Sequence, residues 1–228
     1  MFIILSMKYP VLTYCFLGLF VLASIVQLVF AFTENQKFRR REKFLCLLTL
    51  GLATLFAVPN EPLLYIGAFL GMLGDILVLR KKTFNFGALA FFFGHLCYLS
   101  EAIFFIIGTK NIGYEQYISF IVPFVIIALV IIMFCKKDAK HSTVEAIYQG
   151  VYFALLVVYV PVLTLGMSTV GSYMYLSLIG AVLFLASDTI LVVTHFGYKF
   201  KRYDFYIMIT YLLAELLIIS GLVLTLIR

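Results

Sequence analysis

Long uninterrupted apolar runs recur from one end of the chain to the other, and the charges are gathered between them. Each run approaches the ~20 residues that carry an α-helix across a bilayer core. Inside lipid every backbone polar group must be paired within the protein, which leaves helices or a closed barrel. Continuous runs, rather than short alternating ones, decide for helices. Of the 228 residues 64% are hydrophobic and only 12% charged, whereas a soluble domain is about half apolar and about a quarter charged. The sequence therefore predicts an all-α, polytopic membrane helix bundle of about eight transmembrane helices, forming a single domain over residues 1–228.

The predicted spans are 11–32, 44–58, 63–79, 84–107, 118–135, 144–165, 173–196 and 205–227, the second being short for a crossing. The start lacks a basic stretch and a small-residue cleavage site, so it does not read as a secretory signal. Basic residues alternate in density along the connectors. The segments 34–43, 80–82, 136–140 and 199–202 hold 14 of the 17 lysines and arginines; Lys8, Lys110 and Arg228 fall on the other side. Positive residues stay cytoplasmic, so both termini are expected outside, in a multi-pass protein of the cell membrane. The net charge of +6 then marks contact with anionic headgroups rather than with nucleic acid. Cys15, Cys46, Cys97 and Cys135 all lie in or beside apolar runs and read as small buried hydrophobes.

An internal echo links Leu73–Leu79 in span three with Ala186–Val192 in span seven. Each is followed by a basic turn and an aromatic-rich helix with one polar residue, His95 or Glu215. Both pairs run the same way, which suggests a parallel four-plus-four duplication.

Ionisable groups inside these spans carry the functional signal. A carboxylate at a helix centre costs roughly 2.5–3.5 kcal/mol on insertion scales, so such groups face the bundle interior and default to a functional reading. Asp75, His95, Asp188 and Glu215 are the deep ones; Glu101, Glu145 and His195 lie nearer span ends. Asp75 comes five residues before Arg80, roughly 7–8 Å inside the boundary, and Asp188 lies roughly 16 Å from Lys199. Tyr211 and Glu215 share a helix face at i and i+4, and Asp188 and His195 share another. The bland reading is that Asp75 is interfacial, and that Asp188 and His95 are hydrogen-bonded packing residues. Glu101 and Glu145 are expected at the interface. Gly67, Gly71 and Gly74 read as a close-packing helix face, and Tyr148, Tyr152 and Tyr159 as a packing stripe. His95, His195, Asp75 and Asp188 have atoms enough for a metal, but their spacing matches no zinc motif, and no metal or cofactor is expected. No nucleophile elbow or P-loop occurs.

At these residues the chain resembles the YhhN family, the membrane lysoplasmalogenases. The resemblance rests on Gly74-Asp75-Ile76-Leu77, on Phe91-x-x-Gly94-His95-Leu96-x-Tyr98, on Phe184-x-x-Ser187-Asp188-x-x-Leu191 and on Tyr211-x-x-Ala214-Glu215-Leu216. It runs from about Lys43 to the C-terminus. It implies an eight-span fold without an obligatory cofactor, and hydrolysis of the vinyl ether of a lysophospholipid (lysoplasmalogen) in the membrane. The products would be a fatty aldehyde and glycerophosphoethanolamine or glycerophosphocholine. The family's two aspartates correspond to Asp75 and Asp188. Two departures stand out: relatives usually have glutamine where Glu215 stands, and His195 takes the place of a basic residue expected before Phe196.

The residues suit that chemistry in their own right. Protonating the β-carbon of a vinyl ether makes an oxocarbenium ion, which water then attacks. One carboxyl must be protonated near neutral pH and another ionised, a division that burial and mutual repulsion favour; glycosidases divide their carboxyl pairs in a comparable way. Asp188, the deeper, is assigned as acid and Asp75 as stabilising or water-orienting base, with the reverse assignment open. His95, Tyr98, Ser187, Tyr211 and Glu215 would orient these groups or bind substrate. Lys43 and the 80–82 run would meet a phosphate at the mouth. A proton-coupled carrier for a small molecule or lipid is the alternative, since intramembrane acids and repeats are carrier features; Pro123 and Pro161, however, lie away from the aspartates. A lipid-binding scaffold and a hydrolase of another lysolipid bond also stay open, as does the oligomeric state.

Overall fold

The computed structural model describes residues 7–108, 162–163, 173–195 and 200–227. Apart from residues 162–163, its helical elements are α1 (Pro10–Phe32), α2 (Gln36–Ala57), α3 (Pro62–Leu77), a 3-10 turn at Lys81–Thr83, α4 (Phe84–Gly108), α5 (Met174–His195) and α6 (Tyr203–Leu226). The described structure is helical throughout, and α1, α4, α5 and α6 are long and apolar enough to cross a membrane. α3, at 16 residues, is a shorter apolar helix. Predicted span five, and span six apart from residues 162–163, lie outside the described residues, with Cys135, Glu145 and the Tyr148, Tyr152, Tyr159 stripe.

Helix boundaries follow local chemistry. Pro10 and Pro62 open α1 and α3 at the position where a missing N–H costs nothing. α2 departs from the sequence expectation. The segment 34–43 reads as a basic loop, yet its residues from Gln36 onward already belong to α2, which extends the short predicted span to 22 residues. Lysine and arginine are good helix formers, so the helix does not stop where the apolar run does. Glu34 makes the reversal from α1 with φ of 56°.

Chain neighbours pack as antiparallel hairpins, α1 with α2, α3 with α4 and α5 with α6, and α2 also packs on α3. α6 is the hub, touching α1, α2 and α4 as well as α5. At one end the Arg202 guanidinium lies 3.9 Å from the centre of the Phe32 ring, and Phe32 meets Phe205 edge-on. At the other, the Lys8 and Tyr9 amides donate to the Ala57 and Phe56 carbonyls. Large apolar side chains such as Val11, Leu22, Phe86 and Phe104 face outward, as lipid-facing residues do.

Small residues let the hairpin backbones approach. Gly67 packs on the Tyr98 ring and the Gly94 carbonyl, Gly71 on Leu47 and Gly74 on Phe91, so this row is the packing face its spacing predicts. In the other hairpin Gly180 meets the Ala214 carbonyl, and Ser177 donates to the Ile218 carbonyl at 2.8 Å. Ser177→Ala is expected to cost about 0.5–1.5 kcal/mol, the net worth of one hydrogen bond, read as a small loss in thermal unfolding in detergent.

Candidate functional site

The deep ionisable groups converge around α6, brought there by α2 through α5. Asp75, on α3, is fully buried. Its Oδ1 lies 2.8 Å from the Lys43 ammonium of α2, and its Oδ2 accepts the Tyr211 hydroxyl of α6 at 2.9 Å. Lys43 also sits 5.2 Å from the centre of the Tyr211 ring. The interfacial carboxylate considered from the sequence is instead the centre of a buried ion pair. Lys43, read from its basic neighbours as a phosphate contact, is 8% exposed and directs its ammonium to Asp75.

One turn along α6 lies a second polar group. Tyr98 of α4 donates to Glu215 Oε2 at 3.2 Å, and His95 Nε2 stands 3.7 Å from Oε1. Tyr211 and Glu215 do share the face their spacing requires, and that face joins the two groups. Asp75 and Asp188 both lie within electrostatic reach of Glu215, so three carboxyl groups share one neighbourhood. Asp188 is 7% exposed on α5. Phe184, one turn before it, packs on His95 at 3.9 Å between ring centres. Phe91 and Tyr211 close the aromatic wall, with Phe184–Tyr211 at 5.8 Å and Phe91–Tyr211 at 6.0 Å.

Ser187 takes a structural place: its hydroxyl donates to the Ile207 carbonyl at 3.1 Å and ties α5 to α6. His195 is the last residue of α5. Arg80 and Lys82 are exposed beyond the end of α3. Glu101, expected at the interface, is 5% exposed and lies near Glu61 at the start of α3, because the α3–α4 packing covers it. Cys46 is buried on α2, as expected of a small hydrophobe, within electrostatic reach of Asp75 and Lys43. Sequence reasoning missed the ion pair itself. Among the described residues no three His, Cys, Asp or Glu side chains gather as a metal site.

This arrangement sets the Lys43–Asp75 pair beside a Tyr98–Glu215–His95 group, behind an apolar, aromatic wall. The fold and site together define an all-helical membrane protein with a buried polyprotic site. The YhhN family model matches residues 41–222, and the chain belongs to the YhhN family. No curated protein and no solved structure matches.

Proposed function

We infer that this chain is a lysoplasmalogenase, a membrane hydrolase that cleaves the vinyl ether of lysoplasmalogen to a fatty aldehyde and glycerophosphoethanolamine or glycerophosphocholine. The observation that carries the reading is the gathering of Asp75, Asp188 and Glu215 in one buried, aromatic-walled site of a YhhN-family helix bundle. The full protein is taken as a single domain of eight spans in two parallel four-helix repeats, with the basic connectors cytoplasmic and both termini outside. The α3–α4 and α5–α6 hairpins support the repeat: each contributes a buried aspartate on its first helix and a polar partner, His95 or Glu215, on its second.

In this mechanism Asp188 gives its proton to the vinyl β-carbon, and the electron pair of the double bond forms the new C–H bond. The resulting oxocarbenium ion faces the Asp75 carboxylate. Water adds to the α-carbon and its proton returns to the carboxylate that gave one up. The hemiacetal then breaks its bond to the glycerol oxygen, which leaves as the alcohol, and the aldehyde is released. Phe91, Phe184 and Tyr211 would flank the alkenyl chain. Tyr98, His95 and Glu215 would fix the proton-bearing side, and the exposed Arg80 and Lys82 would meet the phosphate.

The purified protein in detergent is expected to release fatty aldehyde from a lysoplasmalogen, and none from the matching lysolipid with a saturated ether, which lacks the double bond that takes the proton. No aldehyde from folded protein would overturn the reading. Proton-coupled uptake into liposomes would then test the carrier alternative, which the same buried acids serve.

A further inference from the structure

Lys43 and Asp75 are both buried, on different helices, with their charged atoms 2.8 Å apart. Removing a carboxyl from water favours its neutral form, and a close cation opposes that. The side chains that face Asp75 are Lys43 and Cys46 from α2, and Tyr211 and Glu215 from α6. His95 and Tyr98 of α4 and Asp188 of α5 face Glu215 beyond them. Among these described groups Lys43 is the one lysine or arginine. The Lys43 ammonium pairs with Oδ1 at 2.8 Å and the Tyr211 hydroxyl donates to Oδ2, an arrangement that suits an acceptor-only carboxylate.

We propose that Lys43 is a positioning residue whose charge keeps Asp75 an anion, fixing Asp75 as the group that faces the developing cation and leaving proton donation to Asp188. The catalytic half of this rests on the vinyl-ether reading; the charge state does not. A lysine that served the substrate phosphate would act on binding. A lysine that serves Asp75 acts on the chemical step, because its target strengthens its hold only as positive charge develops.

Two measurements test it. Infrared spectra of the folded proteins read the charge state without any substrate. Lys43→Met is expected to show a new protonated-carboxyl band near neutral pH that is missing from Lys43→Met/Asp75→Asn. Parent and Asp75→Asn are expected to differ in a carboxylate band alone, a comparison that needs no lysine variant to fold. A protonated-carboxyl band that Asp75→Asn removes from the parent, or no new band in Lys43→Met, overturns the proposal. In the aldehyde assay Lys43→Met is expected to lose about 10²-fold in kcat, the scale of one lost electrostatic stabiliser, and to recover as pH rises and Asp75 loses its proton. Lys43→Arg, which keeps the charge, is expected to retain most of the parent rate. A raised KM with unchanged kcat in Lys43→Met would overturn the proposal in favour of a phosphate contact. A parent without aldehyde release removes the hydrolase reading, while the infrared result still decides whether Lys43 holds the charge on Asp75.

Discussion

Asp75→Asn is expected to lower fatty-aldehyde release by about 10²–10³-fold, the loss seen when one preorganised charge-stabilising group is removed. Asparagine has nearly the same shape and keeps an oxygen for the Tyr211 hydroxyl to donate to, so the loss isolates the charge. The same change strands the Lys43 ammonium, and breaking a buried ion pair by removing one partner costs about 3–5 kcal/mol. Two effects are therefore superimposed, and the double variant separates them. Lys43→Met/Asp75→Asn removes both charges, so it is expected to regain much of the lost stability in thermal unfolding while staying inactive. Recovery of activity together with stability would show that Asp75 serves the fold alone. Asp188→Asn is expected to lose about 10²–10⁴-fold in aldehyde release, the usual worth of a placed general acid.

How much of this was legible in the sequence differs by feature. The described helices match the apolar runs closely, since lipid-scale hydrophobicity leaves little choice of element, and the glycine row of α3 was readable from its spacing alone. The burial of Asp75, His95, Asp188 and Glu215 was legible because an ionisable group in an apolar run has to face inward. The partner of Asp75 was not legible. Lys43 precedes it by 32 residues on another helix, and no local periodicity relates the two. Its place at the end of a basic stretch pointed instead to a surface contact, because α2 was expected to begin after the charges rather than among them. The cover over Glu101 was not legible for a related reason: nearness to a helix end says how deep a residue lies, not whether a neighbouring helix covers it. Ser187 lies beside Asp188 and so read as part of the site, yet its hydroxyl serves the α5–α6 contact.

That contact gives the second large effect. Gly180→Val is expected to destabilise the protein by at least the ~1–3 kcal/mol of ordinary overpacking, seen as a marked fall in thermal midpoint and in the yield of folded protein. A Cβ on Gly180 would lie 2.7 Å from the Ala214 carbonyl oxygen and 2.8 Å from the Ile218 nitrogen. Both are backbone atoms of α6, so relief requires the helices to separate. Gly71 provides the contrast, because its added Cβ would meet Leu47 Cδ1 at 2.6 Å, the tip of a side chain that can rotate away. Gly71→Ala is accordingly expected to be much milder. Gly18→Ala meets nothing within 4 Å, so replacing a mid-helix glycine there is expected to stabilise by roughly 0.5–1 kcal/mol. At Gly180 the same helix-propensity gain is present but smaller than the backbone clash, so the sign reverses. Ala214, whose carbonyl Gly180 would strike, adjoins Glu215, and Asp188 lies two turns along α5 from Gly180. Moving the helices apart at this point therefore draws Asp188 away from Glu215, and aldehyde release is expected to fall even in the fraction of Gly180→Val that folds. If that folded fraction kept full activity, the spacing of α5 and α6 would not be what sets the distance between the proton-bearing groups.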